Sequence, residues 1–185
     1  MRSIYMAIGT KVKWLNIIAI YILQIVIFQI MLRLIFPTIE QNLGTYHMLD
    51  MVKQGYDSHY VVQLLSLMSD ASQNMYLHVQ MPLDFFYPVV MALVYFLVFT
   101  KVWRKYWYVF FVLPLLLILL DWAENISIIL MFTNDNLIDS AVSWSSFFTQ
   151  AKSIIGEYIL YYLALFSVGV AIIKFLKQRL AQRAK

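Results

Sequence analysis

The sequence predicts an all-α fold, a four-helix transmembrane bundle, from two observations. Of the 185 residues, 62% are hydrophobic and 13% are charged, whereas apolar residues make up roughly 45 to 50% of an ordinary soluble domain. Four apolar segments are also long enough to cross a hydrocarbon core of about 30 Å at a helical rise of about 1.5 Å per residue. They cover residues 14–36, 83–100, 106–132 and 153–173 of a single membrane domain, 1–185.

The basic residues predict the orientation of these spans. Eleven of the 14 Lys and Arg residues lie before span one, between spans two and three, or after span four. Because cytoplasmic loops are enriched in basic residues, both termini are predicted to be cytoplasmic. The eleven are Arg2, Lys11, Lys13, Lys101, Arg104, Lys105, Lys174, Lys177, Arg179, Arg183 and Lys185, and the other three are Arg33, Lys53 and Lys152. We predict a multi-pass protein of the bacterial inner (plasma) membrane.

Span one is predicted to be an uncleaved signal anchor. Basic residues precede it, but its apolar run is longer than the roughly 7 to 15 residues of a signal peptide, and no small-residue cleavage site follows. The dipeptide Phe36-Pro37 is expected to end the helix.

The segment 37–82 is predicted to be extracytoplasmic and helical. Asp57 and Ser58 form a favourable N-cap pair for an amphipathic helix. A second short helix is expected over Ala71 to Met81, leading to Pro82. We expect the first helix to form a lid on the outer side of the bundle. Its apolar residues recur at i, i+3, i+4 and i+7, and they are Val61, Leu64, Leu65 and Met68.

The histidine and cysteine content limits the chemistry of the chain. His47, His59 and His78 all lie in this segment, at spacings that match no metal signature, so hydrogen-bonding roles are favoured over a zinc site formed by the folded loop. The chain has no cysteine, which excludes disulfides, thiolate metal sites and thiol redox chemistry. We predict neither a metal nor a cofactor.

The basic tail from Lys174 is typical of an end that rests on anionic lipid, so no nucleic-acid partner is expected.

Three polar residues interrupt the third span. Asp121, Glu124 and Asn125 follow an uncharged run, and they share one helical stripe with Leu117 and Ile128. An ionisable group at membrane depth costs roughly 2.5 to 3.5 kcal/mol and is therefore paired, hydrated or functional. The connection after this span, Thr133 to Thr149, is predicted to be a solvated loop.

The other spans place further polar residues in the same outer half of the membrane. Asp84 opens span two, where a carboxylate caps the free backbone amides of the helix N-terminus. It also shares a helical face with Tyr87, so its position allows it both to cap the helix and to line a pocket. Glu157 lies on the polar stripe of span four. Arg33 lies near the outer end of span one, where it bridges the acids or extends to the outer headgroups. These positions predict an outward-facing acidic cavity lined by Asp84, Asp121, Glu124, Asn125, Glu157, Arg33 and Tyr87.

The charges of this cavity do not balance. Its four carboxyl groups would total −4 if all were ionised, against at most +2 from Arg33 and Lys152. Because crowded carboxylates in a low dielectric disfavour one another's ionisation, at least one of them, Glu124 or Glu157, is expected to be protonated at neutral pH.

Three functions are compatible with this pattern. A cavity open to the outside binds or translocates a cation, a proton or a small amphiphile. Alternatively, a carboxyl pair performs acid and base catalysis on a lipid-like substrate, although the sequence offers no paired nucleophile, glycine-rich phosphate loop or histidine at that depth. The third alternative is a packing network in a structural, immunity or complex-assembly protein with a protein partner.

Two motifs, one in span two and one in span three, resemble those of a known protein family. The run from Pro82 through Asp84 to Pro88 opens span two, and span three carries Pro114 and then the spacing D-x-x-E-N from Asp121. This pattern resembles an uncharacterised family of small four-helix integral membrane proteins with an LD…P opening on helix two and a P…DxxEN run on helix three. Tyr76, eight positions before Asp84, matches an aromatic position of that family. The resemblance implies the fold and these acidic positions, and it implies no activity.

Overall fold

The computed structural model of the protein describes residues 12–103, 106–134 and 138–183. Some predicted residues lie outside these ranges. They are Arg2, Lys11, Arg104, Lys105 and Lys185 of the orientation prediction, and Asp135 and Asn136 of the third connection, which the structure therefore does not describe.

Helices account for the secondary structure of the described residues, and no strand occurs among them. Helix α1 covers Trp14–Asn42, α2 covers Ser58–Leu67, α3 covers Asp70–Val102 and α4 covers Trp107–Thr133. Helix α5 consists of three consecutive stretches, Ile138–Ser153, Ile154–Leu160 and Tyr161–Arg183. A short 3-10 turn, Leu49–Met51, lies between α1 and α2.

Four of these helices, α1, α3, α4 and α5, are long and apolar enough to cross a membrane. The prediction of an all-α four-helix bundle is therefore confirmed, and the chain has the character of a multi-pass membrane protein. Helix α3 is central, because it packs against α1, α4 and α5. Helix α4 packs most extensively against α5.

The predicted helix ends at two prolines are wrong. Helix α1 continues through Pro37 to Asn42, and α3 runs through Pro82 without a break. Each proline lies two residues after a π-helical turn, Met31–Ile35 in α1 and Tyr76–Gln80 in α3. A proline has no N–H and clashes with the carbonyl of an ordinary α-helical turn. We attribute the continuity of both helices to the wider π turns, which precede the prolines and relieve this conflict.

The predicted solvated loop over Thr133 to Thr149 is also wrong from residue 138 onwards, where α5 begins. Its asparagines, acids and serines led to the loop prediction, but a helical stripe runs through the second part of this segment. The buried members of this stripe are Ala141, Val142, Ser145 and Thr149, spaced by one, three and four residues. This is the spacing of an α-helical face.

The amphipathic helix predicted between the first two spans is confirmed. Asp57 is the N-cap of α2 and its side chain accepts a hydrogen bond of 2.8 Å from the Tyr60 backbone N–H. Val61 and Leu64 are completely buried, and α2 packs against α5. These contacts join the segment between α1 and α3 to one end of the bundle.

Candidate functional site

The polar stripe of α4 faces the interior of the bundle, as its spacing predicts. Asp121 is 6% exposed, and Glu124 and Asn125 are completely buried. Leu117 and Ile128, on the same stripe, are buried above and below them. The two acids therefore depend on neighbouring helices for their partners.

Lys152 of α5 is the cation that pairs with both of these acids. Its Nζ donates a hydrogen bond of 2.9 Å to Asp121 Oδ1 and forms a second ion pair with Glu124 Oε2. Thr149, one turn earlier on α5, donates from its hydroxyl group to Glu124 Oε1. One partly buried lysine thus links α5 to two carboxylates of α4.

Arg33 does not join this cluster, so the prediction that it bridges the acids is wrong. The interior face of α1 at this level is formed by Met31 and Ile35, which are buried, whereas Arg33 lies on the exposed face. Its position agrees with the alternative that the guanidinium extends toward lipid headgroups.

Asp84 lies on α3 beside Asn125, and it is 6% exposed. The predicted role as a cap of free amides is wrong, because α3 already begins at Asp70 and the α-helical stretch at Met81 continues it. The Asp84 Oδ2 atom and both polar atoms of the Asn125 amide are buried without a hydrogen-bond partner among the described residues. Asp84 and Tyr87, which were predicted to share a helical face, both line the cavity described below. The Tyr87 hydroxyl accepts a hydrogen bond of 3.3 Å from Gln24 Nε2.

Asp50 joins the cluster from the turn between α1 and α2, and the sequence did not point to it. Its Oδ1 accepts a hydrogen bond of 3.1 Å from the Tyr76 hydroxyl, and its Oδ2 accepts one of 3.4 Å from Gln80 Nε2. Burial raises the pKa of Asp50 to about 6, and nearby Glu124 raises it as well, whereas Lys152 and the Tyr76 hydrogen bond lower it.

These residues surround a cavity of about 470 Å³ between the helices. Four carboxyl groups and two ammonium groups line it, together with aromatic, methionine and small side chains. Of the predicted residues, Asp84, Asp121, Glu157 and Tyr87 line the cavity, whereas Glu124 and Asn125 are not part of its wall. The lining residues are Phe28, Met31, Phe36, Asp50, Met51, Lys53, Asp84, Tyr87, Met91, Tyr95, Leu117, Asp121, Thr149, Lys152, Ser153, Gly156, Glu157 and Tyr161.

Glu157 occupies a more exposed position than the other acids. Its carboxylate forms an ion pair of 2.5 Å with Lys53, and both side chains are about half exposed. This pair joins the turn after α1 to the π-helical turn of α5. It therefore lies at the rim of the cavity rather than in the buried cluster.

The three histidines lie apart from this cavity. His47 contacts Glu40 and accepts, through its carbonyl oxygen, a hydrogen bond from Tyr60. His78 lies 3.1 Å from the Asn74 carbonyl oxygen. Among the described residues, no group of three or more His, Cys, Asp or Glu side chains has a geometry that could hold a metal ion.

The fold and the site define a class of protein, an all-α membrane bundle with a cavity that is lined by charged and aromatic side chains. Comparison of the chain with protein-family models, curated proteins and solved structures finds no match. The resemblance to a family of small four-helix membrane proteins therefore stays a prediction.

Proposed function

We propose that the protein binds a small amphiphilic organic cation in this cavity, on the outer side of the bacterial inner membrane, with α2 as a lid and both termini in the cytoplasm. The observation that carries the proposal is a pair of carboxyl groups. Asp84 and Asp121 are electrostatic neighbours, and each has a buried Oδ2 atom without a hydrogen-bond partner among the described residues. A buried carboxylate oxygen without a partner is unfavourable, and a bound cation would satisfy both.

The distribution of ion pairs supports a cationic ligand over an anionic one. Lys152 pairs with Asp121 and Glu124, and Lys53 pairs with Glu157. No basic side chain among the described residues forms a salt bridge with Asp84 or Asp50, although both line the cavity. An added cation therefore meets carboxyl oxygens that no basic side chain of the described residues already occupies, whereas the two lysines of the cavity are already paired and leave no free cation there for an added anion.

The walls of the cavity favour an organic cation over a bare metal ion or a proton. Aromatic faces attract quaternary ammonium groups through the ring quadrupole, and methionine side chains adapt to apolar ligands of varied shape. A cavity of this volume lies within the usual range for small-molecule sites. The aromatic and methionine side chains are Phe28, Phe36, Tyr87, Tyr95, Tyr161, Met31, Met51 and Met91.

A matched pair of ligands tests the proposal. We would measure binding of (3-phenylpropyl)trimethylammonium, and of its uncharged isostere with carbon in place of nitrogen, to the protein in lipid nanodiscs. We expect saturable binding of the cation alone and an affinity at least tenfold lower in Asp84→Asn, since loss of one charge contact corresponds to about 1.4 kcal/mol or more. The control variant Asp139→Asn removes an exposed carboxylate outside the cavity and is expected to bind normally.

The other two functions predict different results. A carboxylate-dependent enzyme would turn over a lipid-like substrate, and the turnover would disappear in Asp121→Asn and Glu124→Gln. A packing network would show no saturable binding of either ligand, and those variants would lose stability or a protein partner. Equal affinity for the cation and its neutral isostere, or normal binding by Asp84→Asn, would contradict our proposal.

A further inference from the structure

The bundle is incompletely closed on one side. Helix α1 packs extensively against α3, and α5 packs extensively against α3 and α4, whereas contacts between α1 and α5 are at most sparse among the described residues. In a closed four-helix bundle, each helix would pack against two neighbours. A cleft therefore separates α1 from α5, with α3 as its floor.

The cavity extends into this cleft. Phe28 and Met31 of α1 line one side, and Gly156 and Tyr161 of α5 line the other. The floor is formed by α3, where Tyr95 donates a hydrogen bond of 3.5 Å to the carbonyl oxygen of Gly156. Gly156 allows α5 to approach α4 closely at this level, because a Cβ atom there would lie 3.2 Å from Leu117 Cδ1.

Tyrosines lie along the lipid-facing side of the cleft. Tyr95 has Tyr21 of α1 and Tyr161 of α5 among its electrostatic neighbours, so both helices come near it. Tyr21 and Tyr161 are each 48% exposed. Both belong to segments that are apolar enough to lie in the membrane, so the exposed sides of these rings face the region of the lipid tails.

We propose that this cleft is a lateral portal and that the ligand is a single-chain amphiphilic amine, with its ammonium group at Asp84 and Asp121 and its alkyl chain leaving between α1 and α5. The inference rests on the proposed function. Tyr95 follows Asp84 by eleven residues of continuous helix, or about 16 Å along the axis. The head group and the portal are therefore separated by a distance that an extended alkyl chain spans.

The unpaired carboxyl groups favour this occupant over a helix from a second copy of the chain. An alkyl amine fills the apolar cleft and also brings a positive charge to Asp84. An apolar helix that packed on α1 and α5 would cover the cleft but would leave the buried Asp84 oxygen without a partner.

A photoreactive ligand tests the portal directly. The probe is hexadecyltrimethylammonium with a diazirine on the terminal part of its chain, bound to the protein in nanodiscs and mapped by mass spectrometry after irradiation. We expect adducts concentrated on the α1 and α5 residues that flank the cleft, around Tyr21 and Tyr161, and at least a fivefold loss of these adducts in Asp84→Asn. Asp139→Asn serves as the control and is expected to label normally.

A second measurement separates failure of the portal from failure of the site. Hexadecyltrimethylammonium, at equal mole fraction in the bilayer, is expected to displace (3-phenylpropyl)trimethylammonium. If the short cation binds in an Asp84-dependent manner but the long-chain cation does not compete, the cavity is closed to lipid and the portal is refuted while the site stands. If neither cation binds, the proposed function fails. Labelling that is spread over all lipid-facing helices, or cross-links that join two copies across the cleft, would also refute the portal.

Discussion

At the scale of single residues, Lys152 is the side chain on which the buried cluster depends. It contacts one carboxylate that is fully buried, Glu124, and one that is nearly so, Asp121. Removal of one partner from a buried ion pair leaves a charge that neither water nor a counter-ion compensates. Lys152 therefore holds α4 and α5 together and also limits the negative charge that remains for a ligand.

We predict that Lys152→Met lowers the free energy of unfolding by about 3 to 5 kcal/mol, because Asp121 and Glu124 lose their cation. Unfolding in mixed micelles by titration with sodium dodecyl sulfate would measure this loss. The control is Lys53→Met, whose ion pair with Glu157 is about half exposed, and for which we expect a change within about 1 kcal/mol. Equal losses in the two variants would show that the buried cluster is not a main source of stability.

Asp50 makes the stability of the protein depend on pH. Its pKa is raised from 3.8 to about 6, chiefly by burial. Between these two values the folded chain holds a proton that the unfolded chain has lost, so the free energy of unfolding falls as the pH rises through this window. Well above pH 6, where the Asp50 carboxyl is ionised in the folded chain, its burial lowers the free energy of unfolding by an amount on the order of 3 kcal/mol.

We predict that Asp50→Asn removes this fall between pH 4 and pH 6 and stabilises the protein at pH 7. The amide suits the site, because its oxygen can accept from the Tyr76 hydroxyl and its nitrogen can donate to Gln80 Oε1, which is buried without a partner among the described residues. Unfolding curves across this pH range would test it, with Asp139→Asn as the control. A pH profile that Asp50→Asn leaves unchanged would assign the dependence to another group.

The residues of this site were predictable only where helical spacing placed them. The spacing of Asp121, Glu124 and Asn125 predicted a buried face of α4, and the structure has that face. Lys152 was expected at the outer end of a span, and its pairing with α4 depends on where α5 begins. The place of Asp50 in the site could not be predicted from the sequence. Asp50 lies in a turn whose path over the bundle is determined by tertiary contacts rather than by local spacing.

At the scale of secondary structure, π-helical turns occur in three of the four long helices, and all three adjoin the site. Met31–Ile35 contributes a cavity residue, Met31, and Ile154–Leu160 contributes Gly156 and Glu157. Tyr76–Gln80 provides both hydrogen-bond donors of Asp50. Such turns are frequent at functional sites, because they displace side chains from their ordinary helical positions.

The segment between α1 and α2 is held against α5 by close contacts at Gly55. The Tyr56 backbone N–H donates a hydrogen bond of 3.0 Å to Ser146 Oγ, and the Tyr56 hydroxyl lies 2.6 Å from Ser145 Oγ. Gly55 has a φ of +86°, and a Cβ atom there would lie 2.6 Å from Ser146 Oγ. A side chain at this position would therefore push the segment away from α5.

We predict that Gly55→Ala detaches this segment, whereas Gly44→Ala does not. Gly44 also has a positive φ, of +62°, but a Cβ atom there meets nothing within 4 Å, so its substitution costs only the backbone strain of roughly 1 to 2 kcal/mol. Hydrogen exchange measured by mass spectrometry should show faster exchange over residues 45–57 in Gly55→Ala than in Gly44→Ala. The same exchange in both variants would mean that strain, not the contact with α5, governs this segment.

The helix boundaries show where sequence patterns fail at this scale. Proline is a strong signal for a helix end, and it misled at Pro37 and Pro82 because the π turns before them are not visible in the sequence. The polar residues after α4 suggested a loop, although Ala141, Val142, Ser145 and Thr149 already had helical spacing. The N-cap at Asp57 was predictable because its hydrogen bond is local.

At the scale of the whole molecule, the number and length of apolar segments determined the fold class. Four long apolar helices followed from composition and segment length, and the structure has them. The packing order did not follow, because apolar helix faces give no sequence signal for which neighbours they contact. The open side between α1 and α5 is therefore visible only in the structure.

The orientation in the membrane, with both termini cytoplasmic, stays a prediction that single thiols can test. The chain contains no cysteine, so an introduced cysteine is its only thiol. In intact cells we expect Ser66→Cys, at an exposed position of α2, to react with a membrane-impermeant maleimide, and Gln178→Cys, near the end of α5, to react only after permeabilisation. Labelling of Gln178→Cys in intact cells would reverse the orientation.

The central claim is that Asp84 and Asp121 bind an organic cation inside the bundle. The most direct measurement is a crystal structure with (3-phenylpropyl)trimethylarsonium, whose arsenic replaces nitrogen in the same cation and gives an anomalous signal. The account predicts one arsenic peak in the cavity, within about 6 Å of the Asp84 and Asp121 carboxyl groups, and its loss in Asp84→Asn crystals. A peak elsewhere, or an occupied cavity that persists in Asp84→Asn, would contradict it.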